Sequence, residues 1–349
     1  MAKITIDGAE LCGTHTGMHR FIVQVLLAAD KYLDDYKGQV EVVYPFYKRI
    51  NIPKMNNIKV HSIITLPRLY RKMFLPFYLV VNRSVYCGLA NNMPIGKKNI
   101  ICLHDINPSK PEAGFSEDER KKRLEVLYPQ IARKAQTILT VSETSKEDII
   151  NTLKISSKRV VVIYNGCEHM ADIKTDDNIF IKYPDIVRGK YIYALGSIMP
   201  HKNYEWIVQV AKNNPKYQFV IAGKMHQLGS DDIDKISNII YVGYVTDEEN
   251  KSLMTECKLF VQPSKLEGFG IPPLEALTCG AKVAVAKASC LPEIYMNCVA
   301  YFDPDDYDVS IDSLVDEKRE SPEKLFDKYS WQKSGKKLAE IFKEACEEN

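Results

Sequence analysis

The sequence lacks paired cysteines and lacks any apolar run long enough to cross a membrane. Its 349 residues include nine cysteines, scattered singly, with no Cys-x-x-Cys pair and no cluster of His and Cys. Structural zinc sites and disulfide frameworks need such groupings, so neither is expected. The apolar runs stay below the roughly 18 residues of a spanning helix. Hydrophobic residues make up 45% of the chain and charged residues 26%, which is typical of a globular protein.

The N-terminal sequence, Met-Ala-Lys-Ile-Thr-Ile-Asp, lacks the basic and then apolar pattern of a secretory signal peptide. It predicts a first β-strand instead. Together with the unpaired cysteines, this predicts a reduced, cytoplasmic protein that is at most peripheral on the inner face of the cell membrane.

Acidic residues are missing between Glu41 and Asp105, a stretch that holds ten Lys or Arg. Residues 1–170 carry 25 basic and 16 acidic residues, and residues 171–349 carry 22 and 29. Within the acid-free stretch, residues 66–83 alternate Arg and Lys with Phe, Leu and Tyr, a pattern typical of a surface on an anionic membrane. A solvated helix beside a buried strand is the alternative. Nucleic acid is not expected as a partner, because no nucleic-acid motif is present and the net charge is only +2.

Short β-branched runs alternate with amphipathic stretches, which predicts an α/β fold with parallel sheets covered by helices. The predicted strands of the first half are Lys3–Asp7, Val40–Tyr44, Lys59–Ile64, Asn99–His104, Thr137–Ser142 and Arg159–Tyr164. Those of the second half are Tyr191–Gly196, Gln218–Gly223, Ile239–Val245, Leu259–Pro263, Lys282–Ala286 and Val299–Phe302. We expect two Rossmann-like, doubly wound domains over residues 1–172 and 188–328, facing across a cleft, and a C-terminal helix over 329–349 that packs toward the first domain.

The most informative stretch is 263–280, Pro-Ser-Lys-Leu-Glu-Gly-Phe-Gly-Ile-Pro-Pro-Leu-Glu-Ala-Leu-Thr-Cys-Gly, which follows a predicted buried strand and opens a helix. Gly268 and Gly270 allow close approach of a ligand to the backbone. Free N–H groups at the helix start suit a phosphate. Glu267 and Glu275 flank the turn, and Glu275 is expected in the first helical turn, where it could bind two ribose hydroxyls. Taken alone, a strand–turn–helix junction with capping carboxylates would also account for this stretch.

The stretch resembles the signature of family-4 retaining glycosyltransferases of the GT-B fold. The residues that carry the resemblance are Glu267, Gly268, Phe269, Gly270, Pro273, Glu275 and Ala276, followed by Cys279-Gly280 and Ser289-Cys-Leu-Pro-Glu-Ile294. Three further segments are similar in the family's order: Val141–Ile149, Val162–Gly166 and Gly196-Ser-Ile-Met-Pro200-His-Lys202-Asn203.

The resemblance implies a role for each matching residue. Glu275 would bind the donor ribose, Glu267 the hydroxyls of the donor sugar, and Lys202 the diphosphate. His104, at the end of a first-domain strand, would lie beside the reacting sugar and complete a catalytic set with Lys202 and Glu267. The other implied donor-binding positions are Gly13, Gly17, Gly196, Ser197, His201, Gly223, Lys224, Tyr244, Val245, Gly268, Phe269, Gly270 and Ile271.

The segment Gly196–Asn203, which resembles the family's phosphate loop, departs from the family pattern at two positions. Ser197 and His201 each stand where an arginine is common in the family. The diphosphate would therefore depend more heavily on Lys202. No Asp-x-Asp triplet is expected in a loop position and no cluster of metal ligands is expected, so we predict that no metal is required and that a nucleotide-diphosphate sugar is the co-substrate. No covalent nucleophile is assigned; front-face departure and attack would retain the configuration.

Several alternatives remain open at this point. His104 could be a hydrogen-bonded structural histidine, and His15, His19, His61, His169 and His226 are expected to be structural. The implied activity is transfer of a hexose or deoxyhexose to a glycan or lipid-linked acceptor in surface-polysaccharide biosynthesis. A catalytically silent protein of the same fold that binds nucleotide sugars is the alternative. A dehydrogenase is disfavoured, since its Gly-x-Gly-x-x-Gly fingerprint is missing.

Overall fold

The computed structural model describes residues 2–12, 17–50, 52–197, 199–224 and 236–348. The chain divides into two compact units. Unit 1 comprises Met1–Ser109, Glu117–Gly166 and Tyr329–Asn349, and unit 2 comprises Lys110–Ser116 and Cys167–Lys328. Each unit contains one parallel sheet, which confirms the predicted pair of Rossmann-like sheets.

The sheet of unit 1 has seven strands in the order β3-β2-β1-β4-β5-β6-β7. Every neighbouring pair is parallel. The strands are β1 Lys3–Asp7, β2 Val40–Pro45, β3 Lys59–Ile63, β4 Ser84–Gly88, β5 Asn99–Cys102, β6 Ala135–Thr140 and β7 Val160–Val162. The order reverses between β1 and β4, so the ligand crevice of this doubly wound sheet is expected at their carboxyl ends.

The described α-helices of unit 1 cover its sheet and include the chain's C-terminal helix. They are Gly17–Asp30, Leu75–Val81, Glu117–Lys121, Tyr128–Lys134, Glu143–Leu153 and Trp331–Glu347. Ser142 caps the helix Glu143–Leu153 by accepting a hydrogen bond from the amide of Ser145 at 3.0 Å. The helices Gly17–Asp30 and Trp331–Glu347 pack so closely that a Cβ on Gly335 would lie 2.4 Å from that of Ala28.

The sheet of unit 2 has six strands in the order β10-β9-β8-β11-β12-β13, again with all neighbours parallel. They are β8 Tyr191–Leu195, β9 Gln218–Ala222, β10 Ile239–Gly243, β11 Leu259–Gln262, β12 Val283–Ala286 and β13 Ala300–Phe302. The described α-helices are His169–Asp172, Asn178–Lys182, Tyr204–Asn213, Asp247–Glu256, Ile271–Thr278, Leu291–Tyr295, Ile311–Asp316 and Glu323–Lys328. The strand order reverses between β8 and β11, which places the expected crevice beyond those two strands.

Strand β4, Ser84–Gly88, was missed by the sequence prediction. Val85, Tyr86 and Cys87 are all buried, as expected for a central strand that is covered on both faces. The sequence of such a strand does not alternate between apolar and polar residues, and an apolar helix precedes it at Leu75–Val81. The hydrophobic periodicity therefore does not distinguish the strand from the helix.

The division of the chain differs from the predicted domain limits at two places. The chain passes from unit 1 to unit 2 at Gly166–Cys167, earlier than the polar stretch after Asp172. Lys110–Ser116 belongs to unit 2, because it packs on the turn Pro200–Lys202. None of the described helices has both the length and the hydropathy of a membrane-spanning segment.

Candidate functional site

Glu267 is the centre of a polar cluster beyond strands β8 and β11 of unit 2. Its Oε1 accepts hydrogen bonds from Lys202 Nζ at 2.7 Å and from Gln262 Nε2 at 2.8 Å. The Glu267 side chain is only 9% exposed. Burial alone would raise the pKa of Glu267, but the charge of Lys202 and hydrogen bonds from Lys202 and Ser264 outweigh it and hold that pKa below its usual value. The carboxylate therefore stays ionised and fixed in direction.

The backbone of the turn 267–270 is clamped by residues that follow β12. Ser289 Oγ accepts from the amide of Glu267 at 3.2 Å and donates to its carbonyl at 2.9 Å. Gly270 has φ +82°, and a Cβ there would lie 2.8 Å from Leu291. Gly268 and Phe269 are buried in this turn. Glycine is thus required at 270 for both conformation and space.

The helix that follows begins at Ile271, but it provides fewer free backbone N–H groups than predicted from the sequence. Pro272 and Pro273 stand in its first turn and have no N–H group, so the dipole remains while two of the first donors are missing. Glu275 is the fifth residue of the helix Ile271–Thr278, one turn later than expected. Its side chain is 4% exposed.

Lys202 closes a short 3₁₀ turn, Pro200–Lys202, after β8. Its neighbour His201 donates from Nδ1 to the carbonyl of Ala113 at 2.9 Å. Burial, together with the charge of Lys202, lowers the pKa of His201. Gly114 has φ +80°, and a Cβ there would lie 2.4 Å from Pro200. The segment Lys110–Ser116 therefore holds the turn that carries Lys202.

The ends of β8 and β9 meet at two glycines. A Cβ on Gly223, which has φ +134°, would lie 1.8 Å from the carbonyl oxygen of Gly196. Tyr204 donates to that same carbonyl at 3.0 Å. This contact brings together two of the predicted donor-binding glycines and makes glycine obligatory at 223.

The remaining predicted positions of unit 2 lie at the carboxyl ends of its strands. Ser197 directly follows Gly196 and is half-buried. Lys224 is exposed beyond β9. Tyr244 follows β10 and is 59% exposed, whereas Val245 is 8% exposed. All lie in loops at the edge where a doubly wound sheet binds its ligand.

His104 lies two residues beyond β5 in unit 1 and is buried. Its Nε2 donates to the carbonyl of Leu89 at 3.0 Å, and its ring meets that of Phe21 edge-on at 4.8 Å. Burial lowers the pKa of His104 to about 4, although the bond to Leu89 acts in the opposite direction. The imidazole is therefore neutral near pH 7, with Nε2 engaged in the fold.

Two further predicted positions lie at the start of the first helix of unit 1. Gly17 begins the helix Gly17–Asp30 and is exposed. Gly13 lies outside the described residues, as do His15 and His226.

His169 was expected to be structural, but it contacts a predicted ligand-binding residue. Its Nε2 lies 2.9 Å from Oε1 of Glu275, and the two side chains are 6% and 4% exposed. The two residues are separated by 106 positions, so no local motif signals the contact.

Contrary to the sequence prediction, two Asp-x-Asp triplets, Asp303–Asp305 and Asp306–Asp308, lie in the loop that follows β13. Their carboxylates serve the loop: Asp303 Oδ1 accepts from the amide of Asp305 at 2.9 Å, and Asp306 Oδ1 accepts from that of Asp308 at 2.9 Å. Within the described ranges, no three His, Cys, Asp or Glu side chains gather in a metal-binding group. Metal independence stays a prediction.

Two family models match the chain in succession. The model described as Glycosyltransferase Family 4 matches residues 16–169, and the model described as Glycosyl transferases group 1 matches residues 176–332. The second match contains Lys202, Glu267 and Glu275.

The similar curated proteins include mannosyltransferases. The serotype-specific mannosyltransferase WbdA of Escherichia coli is 29% identical over 233 residues, which cover 60% of this chain and 28% of that protein. The O-antigen chain mannosyltransferase RfbU of Salmonella typhimurium is 28% identical over 233 residues, which cover 64% of this chain and 62% of that protein. The match thus spans less than two thirds of either relative.

Solved structures share the fold over nearly the whole chain. The crystal structure of HepE from Anabaena, in complex with UDP and glucose, has a TM-score of 0.70 at 16% identity and covers 99% of this chain and 100% of that one. WaaG, a glycosyltransferase involved in lipopolysaccharide biosynthesis, has a TM-score of 0.62 at 12% identity over 97% of this chain and 95% of that one. These likenesses and the two parallel sheets show the GT-B fold. The two family models, which together match residues 16–169 and 176–332, show that the chain belongs to the family-4 glycosyltransferases.

Proposed function

We propose that this chain is a retaining glycosyltransferase that moves a hexose or deoxyhexose from a nucleotide-diphosphate sugar to a glycan or lipid-linked acceptor in surface-polysaccharide biosynthesis. The observation that carries the proposal is the Lys202–Glu267 pair, with an N–O distance of 2.7 Å, beyond strands β8 and β11. Two of the relatives are an O-antigen chain mannosyltransferase and a serotype-specific mannosyltransferase, which supports this class of product and makes mannose the first donor sugar to test.

The Lys202–Glu267 pair combines the two charges that such a reaction needs. A departing nucleoside diphosphate gains negative charge, which a preorganised ammonium stabilises in the transition state. An ionised carboxylate accepts hydrogen bonds from sugar hydroxyls. When the donor binds, Lys202 would turn toward the diphosphate, while Gln262 Nε2, at 2.8 Å from Oε1, keeps Glu267 in place.

We further propose that the reaction needs no metal ion. Lys202, the dipole of the helix Ile271–Thr278 and the N–H groups of the glycine turns would meet the leaving charge instead. His104 in unit 1 is buried and neutral, so any part that it takes in the reaction is that of an uncharged hydrogen-bonding group.

A transfer assay tests this function. Purified protein is incubated in EDTA with UDP-, GDP- and ADP-linked hexoses and an undecaprenyl-linked oligosaccharide, and the new glycosidic bond is analysed by NMR. We expect one donor to give a product with the donor's own anomeric configuration, undiminished by EDTA. An inverted product, or transfer that returns only with a divalent cation, would contradict the mechanism. Nucleotide binding without any transfer would favour the silent binding protein.

We also propose that unit 1 docks on an anionic membrane through residues 66–83, where lipid-linked acceptors reside. Met73, Phe77 and Val80 are 51%, 69% and 77% exposed, and their spacing places them on one side of the helical stretch. Leu75 and Leu79 on the opposite side are buried. An apolar helix face with flanking bases is suited to the lipid interface.

The charges around this face need one correction. Arg71 was counted among the membrane-facing bases, but its guanidinium contacts Asp7 at 2.6 Å and Glu10 at 2.7 Å. Its charge is therefore neutralised by the fold. Arg68, Lys72 and Arg83 are exposed and remain for anionic lipid, at about 1 kcal/mol for each base near the surface.

Vesicle flotation tests the docking. The wild type is expected to float with vesicles rich in phosphatidylglycerol and not with phosphatidylcholine alone, and Phe77→Ser with Val80→Ser should abolish this. Ile181→Ser is the matched control, since Ile181 is 78% exposed on a helix of unit 2. Equal flotation on both vesicle types would remove the membrane proposal and leave the transfer activity untouched.

A further inference from the structure

The His169–Glu275 contact joins the beginning of unit 2 to the helix that follows the Glu267 turn. His169 is the first residue of the helix His169–Asp172, and its Nε2 lies 2.9 Å from Glu275 Oε1. A carboxylate has no hydrogen to donate when ionised, so the imidazole is the donor. Both side chains are nearly removed from water.

The short helix that carries His169 is itself anchored. Lys251 Nζ donates to the carbonyls of Met170 at 2.7 Å and Ile173 at 2.6 Å. Four-residue helices have little stability alone, so these bonds and the packing of buried Met170 hold the ring in place. The imidazole therefore approaches Glu275 from a fixed position.

A buried carboxylate that loses one of its donors is free to turn toward its other partners. A hydrogen bond from His169 to Oε1 fixes the rotamer of Glu275, and each carboxylate oxygen has two lone pairs, so the same oxygen can accept a second bond. Paired ribose hydroxyls need such a fixed acceptor.

We propose that His169 is a positioning residue for nucleotide binding: it holds Glu275 in the orientation that accepts the ribose hydroxyls of the donor. This inference rests on the proposed function, because it assigns the ribose to Glu275. Loss of the His169 hydrogen bond weakens the contact to ribose and leaves the contacts to base and diphosphate intact.

The test uses pairs of ligands that differ only at the ribose. Calorimetry measures the affinities of nucleoside diphosphates, GDP and UDP, and of their 2′,3′-dideoxy analogues for the wild type, His169→Leu and His169→Gln. Leu removes the donor, whereas the Gln amide supplies an N–H near the position of Nε2. We expect His169→Leu to bind the ribonucleotide about tenfold more weakly, as for a lost hydrogen bond to a charged group. The dideoxy analogue should bind the wild type and His169→Leu equally, and His169→Gln should largely restore ribonucleotide affinity.

A purely structural role for His169 predicts a different result, with equal losses for both ligands and no rescue by Gln. That result, or unchanged ribonucleotide affinity in His169→Leu, would overturn the inference while the proposed function stands. A wild type that binds no nucleotide would overturn both. If His169→Leu fails to fold, His169→Asn carries the same test, because its shorter polar side chain cannot reach Glu275.

Discussion

The carboxyl edges of the two sheets differ in how their charged groups are held. In unit 2, Lys202 and Glu267 form a pair that remains partly accessible, with side chains 21% and 9% exposed. In unit 1, the side chain of Asp7 at the end of β1 is fully buried, and Arg71 contacts it at 2.6 Å. His104 in the same unit is neutral. Among these described side chains, the Lys202–Glu267 pair is charged and partly accessible, whereas Asp7 is buried and His104 carries no charge.

Under the proposed function, this difference corresponds to different tasks for the two units. A nucleotide diphosphate needs a cation, a carboxylate for ribose and close backbone approach, and the edge in unit 2 provides all three. Unit 1 instead presents an apolar face with exposed bases at residues 66–83. Its chemistry suits an acceptor held at a lipid surface more than the departing diphosphate.

Removal of the Lys202 ammonium from unit 2 should have the largest effect. Lys202→Ala should lower kcat about 10²–10³-fold, as the loss of a preorganised group at developing charge does. Lys216→Ala is the matched control, because Lys216 also pairs with a carboxylate, Asp312, but on the exposed surface. Steady-state kinetics with the preferred donor measure both. Equal small effects would mean that the leaving charge is met elsewhere.

In unit 1, burial of neutral His104 should make the stability of the protein depend on pH. Its pKa falls from 6.5 to about 4 in the folded chain, so between these values the unfolded chain binds a proton that the folded chain does not. The contribution of His104 to the free energy of unfolding is therefore complete above pH 6.5 and is lost as the pH falls toward 4. Its size is about 3 kcal/mol.

Urea unfolding at pH 4 to 8 checks this expectation. The free energy of unfolding of His104→Gln should depend less on pH than that of the wild type between pH 4 and 6.5, and the two slopes should agree between pH 7 and 8. Parallel curves over the whole range would show that His104 is not held neutral.

The glycine contact in unit 2 gives the smallest of the expected effects. Gly223→Ala places a Cβ 1.8 Å from the Gly196 carbonyl oxygen, so the backbone at Gly196 must move. We expect the free energy of unfolding to fall by about 2 kcal/mol and nucleotide binding to be lost. Gly189→Ala is the control: its φ is +73°, but no atom lies within 4 Å of the added Cβ. Thermal melts and nucleotide titration separate steric displacement from backbone strain alone. Equal melting temperatures and equal nucleotide affinities of the two variants would show that the contact between Gly223 and Gly196 has no role.

The sequence predicted twelve strands near their observed places, because β-branched runs and turn residues are local signals. It missed β4, whose residues 84–88 do not alternate. It also identified Glu267 and Lys202 through a motif, but their hydrogen bond spans 65 positions and follows only from the fold.

Contacts between distant segments account for the rest of what the sequence did not give. The His169–Glu275 bond and the packing of Gly114 on Pro200 join residues without a shared motif. The reduced number of donors at Ile271 was visible in the two prolines that follow it, Pro272 and Pro273, once the helix start was fixed. The expectation that no Asp-x-Asp lies in a loop was wrong, because two such triplets follow β13, where their carboxylates accept hydrogen bonds from loop amides.

The most direct test of the central claim is a calorimetric titration of UDP, GDP and ADP in EDTA into the wild type, Glu275→Ala and Lys202→Ala, with Lys216→Ala as control. We expect one nucleotide to bind the wild type and Lys216→Ala without metal. Glu275→Ala and Lys202→Ala should each lose most of this affinity. If the site variants bind as the wild type does, or binding requires a divalent cation, the donor site assigned to unit 2 is contradicted.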